Sequence, residues 1–308
     1  MLAAVIDVGT NSVKYLLAET CCGKENKVLK DIVIITRLGD GLTETGLINR
    51  QALLRTADAV SGFASDAKKC GAEDIRIVGT MALRTASNSA DFSDRVRELA
   101  GIETVVLSGR EEAALSFWGA VSGLDLREVR RYCTIDIGGG STEIVFADEG
   151  KIVCSSSLKT GALFLTDKYF SKEVLSEKDI IMAENELKTI FNGLKPPFRI
   201  SQTIGIGGNV AAMASVFKRM ERYDPEEIHG VVLSESEIDR QIAEYLSNTR
   251  EERRKIKGLD PERADIILAG ACIIRYSMQS CGCSEIVVSE RGLRHGILRN
   301  IFDCRQPC

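Results

Sequence analysis

The side chains best placed to do chemistry are acids that close apolar runs and lead straight into glycines. In Thr134-Ile135-Asp136-Ile137-Gly138-Gly139-Gly140-Ser141-Thr142-Glu143, Asp136 stands at the end of a strand-like run and three glycines expose bare backbone N–H groups beside it. A second strand-like run, 144–148, follows at once. Amides in a tight turn form a concave anion site, and glycine there allows φ > 0 and lets a phosphate come close. A carboxylate repels a phosphate unless a cation stands between them. The pairing therefore points to phosphate with Mg²⁺, which sits on one or two carboxylates and phosphate oxygens.

The same arrangement occurs earlier, in Val5-Ile6-Asp7-Val8-Gly9-Thr10-Asn11-Ser12-Val13-Lys14. A constant offset of 129 positions carries Asp7 to Asp136, Gly9 to Gly138 and Ser12 to Ser141, and the match runs on from 16–19 to 145–148. Two strand–Asp–Gly–strand hairpins opening two half-chains predict two related α/β domains, with the ligand in a cleft between them. Three further stretches add polar groups at strand or helix ends. Arg84 lies in a loop or helix start at 80–88, beyond a short β-branched run at 75–78. Ser108-Gly109-Arg110-Glu111-Glu112-Ala113 reads as a helix N-terminus with two first-turn acids. Gly205-Ile206-Gly207-Gly208-Asn209 is a second glycine turn capping a helix, again an anion site.

The elements that must hold these groups follow from periodicity. Strands are expected at 28–35, 75–78, 103–107, 151–156, 201–204 and 285–288. Helices are expected at 49–69, 91–100, 111–121, near 161–170, 176–194, 210–218, 235–246, 249–257 and 261–280, with a closing helix after Gly292. The mixed, charged stretch 124–131 is the natural junction. It separates a first domain, 1–125, from a second, 126–289, with the segment 290–308 packing back on the first.

A chain of 308 residues suits two domains of about 150. No apolar run reaches the ~18 residues of a membrane span, and the N-terminus enters a strand with nothing like a signal peptide, so a cytoplasmic protein without membrane contact is expected. A net charge of −4 argues against a nucleic-acid coat, though a cleft can be positive inside an acidic protein. The ten cysteines are expected as thiols. The cysteine groupings that could ligate metal are Cys281 and Cys283 with Cys272, or Cys304 and Cys308 with Cys21 and Cys22; no CxxC pair is present. His229 and His295 are the only histidines, which excludes a His-rich hydrolase centre. The basic run Arg250–Lys257 reads as a solvated helix face, or as a guide for a polyanion.

The stretches 7–12, 80–88, 108–113, 136–143, 205–209, Glu262-Arg263-Ala264-Asp265 and 289–298 together resemble the exopolyphosphatase / guanosine pentaphosphate phosphohydrolase family, in that family's order and over nearly the whole chain. The resemblance implies a duplicated actin-like fold of the ASKHA, ribonuclease H-like type, with two domains and an interdomain cleft. It implies Mg²⁺-dependent, or Mn²⁺-dependent, removal of the terminal phosphoryl group of polyphosphate, with guanosine pentaphosphate as the alternative substrate. By the same resemblance Glu112 is the catalytic glutamate, and Asp136, Glu143 and Asp7 are tied to metal. Asp7, Gly9, Thr10, Asn11, Ser12, Arg84, Gly138, Gly139, Gly140, Ser141, Gly207, Gly208 and Asn209 bind phosphate. Thr10, Asn209 and His295 stand where many members have Ser, Thr and Glu. Longer relatives carry an added helical His-Asp domain; a chain ending at Cys308 looks like a short-form member, and a homodimer is the family-based expectation. A nucleotide-dependent kinase or ATPase, or a non-catalytic phosphate sensor, is the competing reading on the same fold.

Overall fold

The computed structural model describes residues 1–19, 27–173 and 175–303. The chain divides into two compact units, Met1–Gly119 together with the segment from Leu293 onward, and Ala120–Gly292. The first runs β1 (Leu2–Val8), β2 (Ser12–Glu19), β3 (Lys27–Ile35), α1 (Leu42–Thr45), α2 (Arg50–Lys69), β4 (Asp74–Gly79), α3 (Met81–Thr85), α4 (Ser89–Ala100), β5 (Thr104–Val106) and α5 (Gly109–Val121). The second runs β6 (Arg131–Ile137), β7 (Thr142–Asp148), β8 (Lys151–Leu158), α6 (Ala162–Leu165) with a π-helical turn Thr166–Phe170, α7 (Glu177–Phe191), β9 (Gln202–Ile206) and α8 (Gly208–Lys218). It continues through α9 (Pro225–Ile228), β10 (Val232–Ser234), α10 (Glu235–Ser247), α11 (Arg250–Arg253), a 3-10 turn Pro261–Arg263, α12 (Ile267–Cys281) and β11 (Glu285–Ser289). The last helix, α13 (Leu293–Asp303), belongs to the first unit.

The two sheets have the order β3-β2-β1-β4-β5 and β10-β11-β9-β6-β7-β8. In each, an antiparallel hairpin (β1/β2, β6/β7) is joined on one side by a third antiparallel strand and on the other by a parallel one. The repeat extends to register. Asp7 faces Lys14 and Asp136 faces Glu143, and the β-bulge at Leu17/Ala18 recurs at Phe146/Ala147, again 129 positions on. Each unit is an α/β layer structure, the actin-like fold.

Residues Ala3–Val8 of β1 are buried on both faces, as a strand between two helical layers must be. On one face Tyr15 stacks on Phe63 of α2 at 4.9 Å; on the other Ala3, Val5 and Leu16 pack with Leu293, Ile297 and Leu298 of α13. Helix α2 starts where the sequence predicts, because Asn49 Oδ1 accepts from the N–H of Ala52 at 2.8 Å. In the second unit α12 is apolar almost all round and central, with Leu268, Ala271, Ile274 and Met278 buried. Among the described residues no helix is long and apolar enough to cross a membrane.

Three expectations change. The helix expected at 249–257 ends at Arg253: a Thr249/Glu252 capping box starts it, Arg253 turns inward to donate to Tyr245 O at 2.6 Å, and Gly258 takes φ 94°. Of the basic run, Arg253 is buried, whereas Arg254 and Lys255 are exposed to solvent and the exposed Lys257 pairs with Glu221. The stretch 261–280 is a short 3-10 turn followed by α12 rather than one helix, and the short α9 and β10 add to the expected elements.

Helices α5 and α13 touch through Gly296, where a Cβ would stand 1.8 Å from Leu115 O. Gly62, exposed within α2, would meet nothing within 4 Å. Gly296→Ala should therefore destabilise by about 1–3 kcal/mol through overpacking, whereas Gly62→Ala should stabilise by about 0.5–1 kcal/mol through helix propensity. Urea midpoints that failed to move in opposite directions would contradict this packing.

Candidate active site

Each hairpin turn is closed by one short main-chain bond, Gly9 N–H to Ser12 O at 3.0 Å and Gly138 N–H to Ser141 O at 2.9 Å. None of Gly9, Gly138, Gly139 and Gly140 has positive φ, contrary to the sequence-based expectation. Proximity favours glycine at 9 and 138 instead: a Cβ would lie 3.0 Å from Ser12 O and 3.2 Å from Ser141 O, tighter than ordinary contact. The remaining carbonyls of the turns face the protein. Thr10 O accepts from Gly39 N–H, and Asn11 O from the N–H groups of Thr36 and Arg37. Gly138 O accepts from Ala162 N–H, and Gly139 O from the N–H groups of Leu163 and Phe164. Among the described residues no backbone acceptor takes the N–H groups of Thr10, Asn11, Gly139 or Gly140.

The acids at the strand ends differ in company. Asp7 is buried, with Oδ2 3.5 Å from Lys14 Nζ and Oδ1 without a hydrogen-bond partner among the described residues. Asp136 is partly buried and directly opposite Glu143, which is buried and accepts from Ser157 Oγ at 2.7 Å. Thr10, Asn11, Ser12 and Ser141 are all buried, and Asn11 Oδ1 also lacks a partner.

In the second unit the glycine turn before α8 abuts the hairpin. Gly207 has φ 96°, and a Cβ on it would stand 2.9 Å from Ile137 O and 3.1 Å from Asp136 Oδ1. Asn209, buried in the first turn of α8, donates to Ile137 O at 3.5 Å and leaves Oδ1 unpartnered; it fits because Gly270 of α12 presents no Cβ, which would lie 2.6 Å from its Cγ.

In the first unit Arg84, in the last turn of α3, uses Nη1 twice, donating to Leu107 O at 2.8 Å and to Glu112 Oε2 at 2.9 Å. No acceptor among the described residues takes its Nε or Nη2 hydrogens. Glu112 is buried, while its neighbour Glu111 is exposed and caps the helix, accepting from Ser108 N–H at 2.8 Å. Hydrogen bonds from Ser108 hold the Glu111 carboxyl below its ordinary range. The two adjacent acids thus have separate tasks.

Two cations join these groups. Lys14 occupies, in the first hairpin, the position Glu143 holds in the second. Arg263 presses its guanidinium over Gly208, where a Cβ would lie 2.4 Å from Nη2; burial pulls it below its ordinary value, and among the described residues it has no ion pair. The repeat alignment marks Lys14, and the Glu262–Asp265 motif contains Arg263; neither pattern shows which side chain turns toward a loop.

For a metal, the donors fit a hard cation. Asp136 and Glu143 offer only carboxylate oxygens, the ligand type Mg²⁺ takes, and two protein carboxylates plus phosphate oxygens is an ordinary share for it. Among the described residues no group of three or more His, Cys, Asp or Glu side chains is arranged to hold a metal by itself. Asp7, tied to Lys14, already has a cation beside it.

The model of the Ppx/GppA phosphatase family matches residues 23–303. This chain belongs to that family. It is 31% identical over 300 residues to the bifunctional 3-dehydroquinate synthase/phosphatase of Fusobacterium nucleatum, covering 94% of this chain and 45% of that protein, so the chain spans less than half of that relative. It is 30% identical to exopolyphosphatase 2 of Mycobacterium tuberculosis, with 96% of each covered. The fold matches the crystal structure of the Aquifex aeolicus Ppx/GppA family member with TM-score 0.83 at 27% identity, over 100% of this chain and 99% of that one.

The Arg84–Glu112 pair is mostly inaccessible, with 23% and 11% of the two side chains exposed. Arg84→Ala should lower stability by about 1–3 kcal/mol, the usual cost of leaving a buried charged partner unmatched. Glu112→Gln, which keeps a hydrogen-bond acceptor for Arg84, should cost less. Denaturant unfolding of both variants checks the order; equal, negligible costs would contradict the pair.

Proposed function

We propose that this chain is an exopolyphosphatase, which hydrolyses the terminal phosphoanhydride bond of inorganic polyphosphate and releases orthophosphate with the help of Mg²⁺. The observation that carries this reading is the second hairpin. It sets Asp136 against Glu143 beside a turn whose Gly139 and Gly140 amides find no backbone acceptor among the described residues, so one hairpin offers acids for a hard cation and N–H groups for a phosphate. The near full-length likeness to exopolyphosphatase 2 supports polyphosphate as the substrate class.

Phosphoryl transfer passes through a loose transition state, so the protein has mainly to position the reactants and stabilise charge on the phosphoryl oxygens. In the second unit Gly139 and Gly140 supply N–H groups for those oxygens with the Ser141 hydroxyl next in the turn; the turn of the first unit offers the N–H groups of Thr10 and Asn11 and the Ser12 hydroxyl. The start of α8 and the Arg263 guanidinium add positive charge where an anion would sit. When bound at Asp136 and Glu143, Mg²⁺ supplies charge neutralisation on the phosphate oxygens. Glu112 orients a water and takes its proton as the oxygen attacks the terminal phosphorus; the bridging P–O bond breaks, and the shortened chain leaves with the electron pair.

The test is phosphate release from long-chain polyphosphate, guanosine pentaphosphate and ATP in parallel, with Mg²⁺ and with excess chelator. Release from polyphosphate that chelator stops, and that Glu112→Gln lowers by ~10²-fold or more with little change in KM, is the expected result. Release from ATP alone would reassign the chain to nucleotide chemistry, and binding without release would make it a sensor. In the same assay Arg263→Met should raise KM by about tenfold to a hundredfold, the scale of a lost hydrogen bond to a charged group; an unchanged KM removes Arg263 from the substrate.

A further inference from the structure

Three thiols of the second unit meet at a point the phosphohydrolase chemistry does not use. Cys133 on β6 is fully buried, Cys281 ends α12 and is buried, and Cys283 precedes β11 and is partly exposed. The position of Cys283 is set by the helix end. Gly282 takes φ 68°, and the N–H groups of Gly282 and Cys283 return to Gln279 O and Met278 O, so the chain folds back over the last turn of α12. Cys272, the partner expected from the sequence, sits elsewhere on α12; Cys133, distant in sequence, takes its place. Cys21, Cys22, Cys304 and Cys308 lie outside the described residues.

Thr203 ties the group together. It is the β9 register partner of Cys133, whose thiol reaches its hydroxyl at 3.8 Å, and that hydroxyl donates to Cys283 Sγ. The Cys133 and Cys281 thiols also stand within hydrogen-bond reach of Cys283. The Thr203 hydroxyl hydrogen is aimed at the Cys283 sulfur, which also lies 3.5 Å from Cys281 O, and hydrogen bonds to the charged form favour it. Cys283 is accordingly held below the ordinary thiol range, by Cys133 first and Cys281 second and against the effect of burial, while its two neighbours are pushed up. The partly exposed member of the group is thus the one whose thiolate its neighbours favour.

We propose that Cys283 is a peroxide-reactive thiolate that closes a disulfide with Cys133, an oxidation site additional to the phosphohydrolase chemistry. The Cys283 sulfur attacks hydrogen peroxide; an S–O bond forms, the O–O bond breaks, and the hydroxide released takes a proton to become water. The Cys133 sulfur then attacks the resulting sulfenic acid at sulfur. The S–O bond breaks, the thiol proton leaves with the hydroxide as a second water, and one peroxide is reduced for each disulfide formed. Cys133 is favoured over Cys281 as the resolving thiol, because a disulfide across Gly282 alone would close a tight ring far from relaxed geometry.

The test treats the full chain with hydrogen peroxide, with and without dimedone as a sulfenic-acid trap, and maps the cysteine peptides without reduction. The expected product is a Cys133–Cys283 peptide lighter by two hydrogens. Cys133→Ser should stop the reaction at a dimedone adduct on Cys283, and Cys283→Ser should give neither product. Thr203→Val, which keeps the side-chain shape and removes the hydroxyl, should slow labelling of Cys283 by about tenfold, since thiolate character sets the rate. Oxidation of the exposed Cys70 or Cys154 ahead of Cys283 in the wild-type chain would overturn the proposal, and a Cys281–Cys283 peptide would overturn the pairing. The wild-type map keeps the idea falsifiable even if a variant folds poorly.

Discussion

The site depends on a single main-chain hydrogen bond made twice, from the glycine after each strand-end acid to the serine carbonyl three residues on. Closing the turn so tightly crowds any Cβ at Gly9 or Gly138 against a carbonyl oxygen. The bond also fixes the peptide planes that follow. In a trans peptide the C=O and N–H of one plane point opposite ways. Gly138 O and Gly139 O are engaged by the start of α6, so the amides of Gly139 and Gly140 point away from it. Gly161 lets that clamp close, because a Cβ there would lie 2.4 Å from the Gly139–Gly140 peptide. The open amides thus follow from where the carbonyls are spent.

Duplication supplied two such turns, and one position separates their electrostatics. The register that sets Asp7 against Lys14 sets Asp136 against Glu143, and the bulge further along β2 recurs on β7. The first hairpin therefore neutralises its own acid with a lysine 3.5 Å away. The second concentrates two carboxylates face to face, an arrangement that like charges disfavour and a cation relieves. Similar backbones thus carry different charge: an acid paired with a lysine in the first turn, two facing carboxylates in the second.

Much of this was legible in the sequence, and what was not shares a cause. Internal repetition revealed both hairpins, and local signals placed α2, since the Asn49 cap and the Cys70-Gly71 stop are short-range chemistry. The actin-like fold followed from motif order. Local reading overextended the helix at 249–257 because Arg253 looks solvent-bound until Tyr245 O, eight residues back, claims its Nε. It attributed the hairpin glycines to positive φ and to the close approach of a phosphate, whereas their φ is not positive and a carbonyl crowds a Cβ at Gly9 and Gly138. Arg263 over Gly208, Gly270 under Asn209 and Cys133 beside Cys283 are long-range neighbours, and no spacing rule encodes them. Side-chain direction at the end of a packed element is set by tertiary contact, which periodicity does not carry.

Arg84 shows how the geometry of a guanidinium divides its hydrogen bonds. Its bond to Glu112 looks at first like a competitor for substrate, because a guanidinium satisfied by a carboxylate has less to offer a phosphate. The geometry separates the two demands. Both internal bonds come from Nη1, to Leu107 O and Glu112 Oε2, and the planar fork turns its Nε and Nη2 hydrogens elsewhere. A lysine, with one compact ammonium, would have to leave Glu112 to reach an anion. Arginine can hold the carboxylate in place with one arm and present the other to a phosphoryl oxygen. The Leu107 carbonyl, itself fixed at the end of β5, makes that division rigid rather than transient.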